Sequence, residues 1–480
     1  RLPEEYARIS PPAAERIESS PAGHPLPTPP GFNADLHRRH RELYLRGEVS
    51  LAGNRLPRPT VIEDASGDDI TPLPAAESQD YRFCRALGEA ALRKGEAAVV
   101  TLGGGLGSRW SPGGEVVKLL SPVFHLHGRH RSFLEIHLAK TAQTSLNYRR
   151  PFQHIITTSP LTEEPIAETL SEFRRSNPEA TACLSPAGFL VGRLIPREDD
   201  LRDFFKPRIR GIRDREKRRL ERERVDRLIR WTARLGPGED FRLGPARGRY
   251  HPPGHWYEIP NLIRNGTLGR LLRDNPGLNY LLVHNADTLG AALDPLVLGV
   301  HIFSKKALSF EIIPRSWEDR GGFPARVNGR CRILEAGALP REEDEFLFTA
   351  YNSLTNWISL DPLLARLGLT RDDLTRSGGD PEAGRRIAAA LDQLEEEIPV
   401  YLTLKETRLP GQWDEGPVPV AQCERLWGEM SALEGLETGF IRVARNRGRQ
   451  IKDPRTLDHA LRDGTVEALA PLLHFPEDSV

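Results

Sequence analysis

The sequence predicts an α/β protein built on a mixed, mostly parallel sheet flanked by helices, with additions at both ends of the chain. Three observations indicate this class. From about residue 81, short apolar runs alternate with amphipathic stretches, the pattern of β-α-β units. A glycine-rich turn follows the first of these runs. The 480 residues, with 38% hydrophobic content, suffice for a large core with smaller additions.

Five apolar runs predict strands, and the amphipathic stretches between them predict helices. The strands are expected at 97–102, 152–158, 280–284, 307–313 and 346–351. The helices are expected at 132–145, 163–176 and 262–275. Because strands and helices alternate, consecutive strands are expected to run parallel. We therefore assign residues 81–360 to a core domain.

The two ends of the chain differ from this core in composition. Residues 1–80 are rich in proline and polar side chains, which predicts a partly irregular N-terminal appendage with helices near 33–47 and at the start of the chain. Residues 361–480 are predicted to be mainly helical, with helices at 385–397, 422–433 and 454–470.

Residues 206–234 form a charged insertion in the core domain. The charges are mixed in sign, and apolar residues recur at helical spacing, so we predict an amphipathic helix. These apolar residues are Leu220, Val225, Leu228 and Ile229. A solvated helix with ion pairs is the favoured interpretation. An arm that binds phosphate or a partner is the alternative.

Charge and cysteine content argue against several classes of function. The chain has 67 basic and 67 acidic residues, and this zero net charge gives no general attraction to nucleic acid or to an anionic membrane. The four cysteines are far apart and form no metal-binding spacing, as expected of reduced thiols. The sequence has no run of eighteen apolar residues and no signal peptide. We therefore expect a cytoplasmic protein without a membrane or nucleic-acid partner.

A glycine-rich turn after the first predicted strand is the strongest candidate for a binding site. Where side chains are missing, backbone N–H groups can approach a polyphosphate closely. Arg109 and Lys118 follow and can stabilise the charge of a transferred phosphoryl group. A tight turn without a ligand is the alternative. The residues assigned to nucleotide binding in this turn are Leu102, Gly103, Gly104, Gly105 and Gly107.

Two other nucleotide-binding motifs do not fit this turn. The Walker motif closes with Gly-Lys-Ser/Thr, whereas the turn here closes with Gly-Ser-Arg. The dinucleotide motif requires a different glycine spacing and an acidic residue after the second strand, and the sequence provides neither.

The turn resembles the Leu-x-Gly-Gly-Leu-Gly-Ser/Thr motif of the UTP–glucose-1-phosphate uridylyltransferase (UDP-glucose pyrophosphorylase) family, in which a lysine follows downstream. Further segments resemble motifs of this family in the same order. They are Pro-Pro-Gly-His at 252–255, Asn-Ala-Asp-Thr-Leu-Gly-Ala at 285–291, a strand ending in Pro-Arg at 311–315, Arg-Gly-Gly at 320–322, and Tyr-Asn-Ser-Leu-Thr-Asn-Trp at 351–357. The chain is identified as a divergent member of the family over residues 97–450.

The resemblance implies a Rossmann-like fold of the glycosyltransferase-A type, with a nucleotidyltransferase catalytic domain at 81–360. It implies an enzyme that joins a nucleoside triphosphate to a sugar 1-phosphate, forms a UDP-glucose-like NDP-sugar and releases pyrophosphate. In the nucleotide site, Gly254 would lie against the base, and Arg193 is a further contact. The residues assigned to the sugar phosphate are His255, Asn285, Asn352, Arg315, Arg442 and Lys452.

Asp287 follows the predicted strand at 280–284, which places its carboxylate at the sheet edge where ligands bind. One carboxylate with phosphate oxygens is a typical Mg²⁺ site, so we predict Mg²⁺ bound by Asp287 as the cofactor. Arg109, Lys118 and Asp287 are the expected catalytic residues. A capping or turn role is the alternative for Asp287. A second metal site, disfavoured because no carboxylate or cysteine accompanies it, would use His125, His127 and His130.

Departures from the family leave the substrates open. The family places a uracil-reading glutamine where Val191 or Gly192 stands here, so the base could instead be guanine or adenine, or uracil could be read through backbone groups alone. Changes in the motifs around Asp287 and Asn352 leave a non-glucose sugar or a cyclitol phosphate open as the acceptor.

The late lysine of the family aligns with Ala444, and Arg442, Arg445 or Lys452 could replace it. Because the glutamine and this lysine are both missing, a catalytically silent relative that binds a nucleotide sugar is a second hypothesis. A nucleic-acid-binding protein that uses the 206–234 segment is a third. The sequence does not define the oligomeric state.

Overall fold

The computed structural model describes residues 29–107, 110, 117–176, 181–186, 188–245, 248–409, 411 and 413–475. The strands are β1 (Ile62–Asp64), β2 (Ile70–Pro72), β3 (Ala97–Leu102), β4 (Pro122–Leu126), β5 (Arg129–Ser132), β6 (His154–Thr157), β7 (Ala182–Ser185), β8 (Val191–Gly192), β9 (Tyr250–His251), β10 (Tyr280–Asn285), β11 (Leu308–Pro314), β12 (Phe323–Val327), β13 (Arg330–Leu334), β14 (Ala350–Ser359), β15 (Tyr401–Leu409), β16 (Trp413–Glu424) and β17 (Thr438–Arg442).

The α-helices lie between and around these strands. They are α1 (Ala34–Leu45), α2 (Gln79–Lys94), α3 (Phe133–Tyr148), α4 (Glu163–Ser176), α5 (Glu198–Gly211), α6 (Arg215–Leu235), α7 (Glu258–Arg264), α8 (Thr267–Asp274), α9 (Pro295–Ser304), α10 (Leu360–Arg366), α11 (Arg371–Arg376), α12 (Pro381–Glu397), α13 (Arg445–Gly448), α14 (Pro454–Ala460) and α15 (Thr465–Leu469). Short 3-10 helices include 118–120, 255–257, 342–347 and 427–432.

An eight-stranded sheet forms the centre, in the order β2-β17-β11-β14-β10-β3-β6-β7. β14 is antiparallel to both of its neighbours, and the other neighbouring pairs are parallel. Every residue of β3 is buried. The predicted class, a mixed and mostly parallel sheet flanked by helices, is confirmed. The parallel arrangement puts the carboxyl ends of β3, β6 and β10 at one edge.

The first four predicted strands correspond to β3, β6, β10 and β11. The fifth, predicted at 346–351, is displaced in the structure. The prediction ended that strand at Tyr351. In the structure β14 continues to Ser359, and Asn352 and Asn356 are buried in it. Because β10 and β11 flank this strand on both sides, its backbone groups are paired along most of its length. Residues 342–347 form a 3-10 helix instead.

The helices of the core follow local signals. α3 begins with a capping box, in which Ser132 and Glu135 satisfy each other's backbone N–H groups. α4 has the predicted bounds. The helix predicted at 262–275 is divided into α7 and α8 by Gly266, whose φ of +76° is left-handed and cannot continue a helix.

The N-terminal appendage is part of the core. α1 forms where it was predicted, and the helix predicted at the start of the chain lies outside the described residues. β2 pairs with β17 at one end of the central sheet, and β1 joins β12 and β13 in a second sheet. The appendage therefore supplies strands as well as a helix.

The prediction of a mainly helical C-terminal region is wrong over residues 401–442. β15 and β16 form a long antiparallel hairpin, and β17 enters the central sheet. The helix predicted at 422–433 is the end of β16 followed by a 3-10 helix, because Gln422 pairs with Thr403 of β15. The helix predicted at 454–470 is interrupted by Gly464, whose φ is +83°.

The charged insertion folds as a pair of helices, α5 and α6. Val225, Leu228 and Ile229 of α6 are buried in a cluster with Phe205 of α5, whereas Leu220 is 51% exposed and lies outside the stripe. The outer face of α6 carries ion pairs such as those of Arg219. Within the part of the chain that is described, no helix has the length and apolar character needed to cross a membrane.

Candidate active site

The candidate site lies where three neighbouring strands end. Leu102 of β3 is in register with Asn285 of β10 on one side and with Thr157 of β6 on the other. The glycine turn, Asp287 and the Thr158–Ser159 segment follow these three strands. Open α/β sheets bind ligands at this edge.

The glycine turn is held against β6. The Gly103 N–H donates to the carbonyl oxygen of Thr157 at 3.1 Å, and a Cβ at Gly103 would lie 2.7 Å from that oxygen. At Gly105 a Cβ would meet no heavy atom within 4 Å, and the residue is exposed. Gly103 is thus required by packing, whereas Gly105 leaves the backbone open to a ligand. Arg109, predicted to be catalytic, lies outside the described residues, and Leu102 is buried in β3.

Lys118 and Asp287 meet beside this turn. Leu106 at the end of the turn forms a β-bridge with Val117, and this bridge brings Lys118 back toward the sheet edge. The Lys118 ammonium donates a hydrogen bond to Asp287 Oδ2. Asp287 is 1% exposed, and its Oδ1 has no hydrogen-bond partner within the described residues. The structure therefore joins two of the three predicted catalytic residues.

A single buried carboxylate oxygen without a hydrogen-bond partner among the described residues fits the predicted Mg²⁺ ligand. Mg²⁺ takes few protein ligands and fills its shell with water and phosphate oxygens. Within the described residues, no group of three or more His, Cys, Asp or Glu side chains forms a protein-only metal cage. His125 and His130 make a ring contact with each other, with centroids 5.3 Å apart.

Lys452 is the late basic residue that lies next to a backbone contact with Asp287. The preceding Ile451 N–H donates to the Asp287 carbonyl oxygen at 2.9 Å, and Lys452 Nζ donates to Tyr351 Oη at 2.6 Å. Arg445 instead pairs with Asp319 at 2.7 Å. Arg442, assigned to the sugar phosphate, is exposed at the end of β17, three strands away from β10.

His255 is a neutral hydrogen-bond donor in this fold. Its Nδ1 accepts the Trp427 N–H at 3.0 Å, so the ring proton is on Nε2. Burial, helped by Lys405, lowers the pKa of His255 to about 4. The preceding Gly254 has a φ of +110°, and a Cβ there would lie 2.2 Å from the Arg425 carbonyl oxygen. Gly254 thus lets this turn pack against the segment after β16.

Glu258 is a site residue that the sequence analysis missed. Its carboxylate accepts hydrogen bonds from Thr157 Oγ1 and from the backbone N–H of Gly104 in the glycine turn. Burial raises the pKa of Glu258 to about 7, against the effect of these two donors. The available signal was its position three residues after His255, in the same turn.

A second group surrounds Asn352. Its backbone N–H donates to the Gly322 carbonyl oxygen at 3.0 Å, and its Oδ1 accepts the Leu354 N–H at 3.0 Å. Glu335, also missed, lies beside it: a Cβ at Gly322 would be 2.8 Å from Glu335 Oε1. Burial first, and then Glu429, raises the pKa of Glu335 to about 7, while Lys452 opposes the shift. This group adjoins Lys452 and therefore the Asp287 site.

Two predicted arginines have structural contacts instead. Arg315 is a buried side chain that pairs with Glu345 at 3.5 Å and lies over the Phe323 ring. Arg193 donates to the Gly248 carbonyl oxygen at 2.9 Å, and burial lowers its pKa to about 10. These contacts use the guanidinium groups to hold loops. The assignments of Arg193 to the nucleotide and of Arg315 to the sugar phosphate stay predictions.

Asn285 ends β10 two residues before Asp287. Its carbonyl oxygen accepts the Thr288 N–H at 3.1 Å, which forms the turn that directs Asp287 toward Lys118. This placement puts Asn285 at the site, and its predicted contact with the sugar phosphate stays a prediction.

The fold resembles that of solved sugar-nucleotide pyrophosphorylases. A Trypanosoma brucei structure titled UDP-glucose phosphorylase aligns with a TM-score of 0.58 and 16% identity, over 89% of this chain and 75% of that one. A putative UDP-N-acetylglucosamine pyrophosphorylase from Entamoeba histolytica aligns with a TM-score of 0.55 and 13% identity, over 84% and 87%. These structures share the predicted nucleotidyltransferase fold.

Sequence comparison places part of the chain with a family. Residues 243–370 match the model of the UTP–glucose-1-phosphate uridylyltransferase family. The enzyme of that name from Hordeum vulgare is 33% identical over 133 residues, which is 25% of this chain and 28% of the relative. The one from Solanum tuberosum is 32% identical over 136 residues, or 26% and 28%. The match thus spans little more than a quarter of these relatives, and over this segment the resemblance read from the motifs is confirmed.

Proposed function

We propose that this chain is a nucleotidyltransferase that joins a nucleoside triphosphate to a sugar 1-phosphate, forms a UDP-glucose-like NDP-sugar and releases pyrophosphate. The observation that carries the proposal is the contact between Lys118 and Asp287 beside the glycine turn. The names of the relatives matched over 243–370 support the same reaction class.

In this reaction a phosphate oxygen of the sugar phosphate attacks the α-phosphorus of the nucleotide. A new P–O bond forms, the bond to the β-phosphate bridging oxygen breaks, and pyrophosphate leaves. Backbone N–H groups near Gly105 and the Lys118 ammonium would stabilise the charge of the transition state. A phosphate dianion is already a nucleophile at neutral pH, so the reaction needs no general base.

Asp287 Oδ1 would hold Mg²⁺ together with phosphate oxygens. When bound, the ion supplies positive charge at the transferred phosphorus and orients the phosphates. Lys118 then has two roles, because it holds the Asp287 carboxylate in place and contributes its own charge.

The acceptor would lie on the Lys452 side of Asp287. The neutral His255 can donate Nε2–H to the sugar phosphate. Asn352 Nδ2 and the Glu335 carboxylate offer a donor and an acceptor to sugar hydroxyls. Lys452 would contact phosphate oxygens.

The test is pyrophosphate release from each of the four common nucleoside triphosphates with a panel of sugar and cyclitol 1-phosphates. We expect release with at least one pair, loss of release with EDTA and recovery with Mg²⁺. Asp287→Asn and Lys118→Ala should each lower kcat/KM by at least about 100-fold, because each removes charge stabilisation at the transferred group.

Asp68→Asn and Lys94→Ala are matched controls, since both residues are exposed. They should keep the activity of the unchanged protein.

A silent sensor of nucleotide sugars is the competing function. Nucleotide-sugar binding without turnover, unaffected by Asp287→Asn, would favour the sensor and overturn the proposal.

A further inference from the structure

Glu258 joins the ends of two central strands. Thr157 Oγ1, at the end of β6, donates to one carboxylate oxygen. The N–H of Gly104, just after β3, also donates to the carboxylate. Both protein partners are donors, so the carboxylate serves as a fixed acceptor. It is turned toward the glycine turn, where a Cβ at Gly104 would lie 3.3 Å from Glu258 Oε1.

The distance between Glu258 and Asp287 along the sheet edge suits the length of a nucleotide. Thr157, Leu102 and Asn285 lie side by side on β6, β3 and β10. Neighbouring strands are about 5 Å apart, so Glu258 lies on the order of 5–10 Å from the Asp287 end of the sheet edge. With the α-phosphorus at Lys118 and Asp287, the base of the same nucleotide would reach Glu258.

The residues aligned with the uracil-reading glutamine cannot take this role. Val191 is buried in the main core cluster. At Gly192 a Cβ would lie 2.7 Å from the His37 ring. His37 is fixed there, because its Nδ1 accepts the Gly192 N–H at 3.1 Å and its Nε2 lies 2.8 Å from Asp240. The group that reads the base must therefore come from another part of the site.

A carboxylate selects among the four bases by their donor patterns. In its ionised form it offers two acceptor oxygens and no donor, and each oxygen keeps a lone pair beside the bonds to Thr157 and Gly104. Guanine presents two adjacent donors, N1–H and the N2 amino group, which match two carboxylate oxygens. Uracil has one N–H between two carbonyl oxygens that a carboxylate repels. Adenine and cytosine place a ring acceptor next to their amino group.

We propose that Glu258 reads the nucleobase through two adjacent N–H donors, so that the preferred substrate is a guanine nucleotide. This inference rests on the proposed nucleotidyltransferase function and specifies its nucleotide. Glu258 is then the residue that determines base specificity.

The experiment compares GTP, UTP, ITP and XTP as substrates of the unchanged protein and of Glu258→Gln. ITP lacks the 2-amino group, and XTP carries a carbonyl oxygen in its place. The unchanged protein should use GTP about 10- to 100-fold better than ITP and UTP, because neither ITP nor UTP can form the bidentate contact, and such a contact contributes about this factor. The amide of Glu258→Gln offers one acceptor and one donor, so the variant should lose GTP use and gain XTP use by similar factors.

A merely structural role of Glu258 would lower activity with all nucleotides alike, without a gain for XTP. Such a uniform loss overturns the inference, as does a preference of the unchanged protein for UTP. Glu163→Gln changes a glutamate near the same sheet edge, where Thr158 Oγ1 donates to it at 2.9 Å. This control should keep the base preference.

Binding separates the inference from the proposed function. If no nucleotide gives pyrophosphate with any acceptor, the proposed function fails. Thermal shifts with GDP and UDP still test Glu258, because a ligand stabilises the protein that binds it. GDP should raise Tm more than UDP, and this difference should be lost in Glu258→Gln. Equal Tm shifts with GDP and UDP in the unchanged protein would overturn the inference. This comparison needs no variant, so it holds even if Glu258→Gln is too unstable to study.

Discussion

Asp287 is almost fully buried, yet its Oδ1 has no hydrogen-bond partner within the described residues. A buried charged oxygen without a partner costs free energy of folding, on the order of 1–3 kcal/mol or more. The hydrogen bond from Lys118 goes to the other oxygen, Oδ2, and leaves Oδ1 without a partner among the described residues. The arrangement is understandable if a cation or a substrate completes the site.

Glu335 has a similar conflict between folding and function. Its carboxylate lies near Gly322, Gly428 and Lys452, and burial raises its pKa from 4.5 to about 7. The native state therefore binds more protons at this group than the unfolded state between pH 4.5 and 7. By linkage, its contribution to the free energy of unfolding falls as pH rises through this range, and the full cost is present above about pH 7.

Glu335→Gln should therefore stabilise the protein at high pH. We expect equal urea midpoints of variant and unchanged protein near pH 4.5. Above pH 7 the variant should be more stable by up to roughly 3 kcal/mol, the equivalent of the pKa difference. Urea denaturation at several pH values measures this. The exposed Glu63→Gln is the control and should show no pH-dependent gain; a Glu335→Gln effect that does not vary with pH would contradict the assignment.

Among the elements, α2 and α9 are packed unusually closely. Gly88 of α2 faces α9, where a Cβ would lie 1.8 Å from the Pro295 carbonyl oxygen. Gly299 of α9 faces α2, where a Cβ would lie 1.7 Å from the Cys84 carbonyl oxygen. The two glycines thus let the helix backbones touch. The pair covers a core cluster that includes Val99 of β3.

Gly299→Ala should separate these helices and destabilise the protein. Overpacking of this kind costs about 1–3 kcal/mol or more, because the neighbour is backbone and cannot rotate away. Guanidinium denaturation measures the loss. Gly378→Ala is the matched control, since a Cβ there would meet nothing within 4 Å. Equal midpoints for the two variants would show that the helices can adapt without cost.

The element boundaries that sequence predicted well are those with local causes. The Ser132 and Glu135 capping box and the buried apolar run of β3 are such causes. The boundaries that it missed depend on distant partners. β14 continues through polar residues because β10 and β11 pair with it, and β16 replaces a predicted helix because β15 pairs with it.

At the scale of the whole molecule, both ends of the chain complete the central sheet. β17, from the C-terminal region, pairs with β11, and β2, from the N-terminal appendage, pairs with β17. Leu36, Tyr44 and Ile70 of the appendage are buried. The appendage is therefore expected to fold together with the core domain.

Deletion of residues 1–77 should abolish cooperative folding. Burial of each large side chain contributes about 1.5–3 kcal/mol, so losing several of them approaches the total stability of a typical protein. Urea denaturation followed by fluorescence tests this. Tyr44→Phe removes only the hydroxyl that donates to Asp200 at 2.8 Å, and should lower stability by about 1–3 kcal/mol. A deletion variant with an unchanged urea midpoint would show that the appendage folds apart from the core.

The sequence by itself determined the α/β class, the glycine turn after a buried strand, and Asp287 after another. These features are local, because the strand pattern and the residues that follow each strand lie within a short stretch of chain. Only the tertiary structure decided which side chains complete the site. Glu258, Glu335 and Lys452 reach it from separate segments, and Arg193 and Arg315 are used to hold loops. Long-range packing sets these distances, and no local pattern in the sequence encodes them.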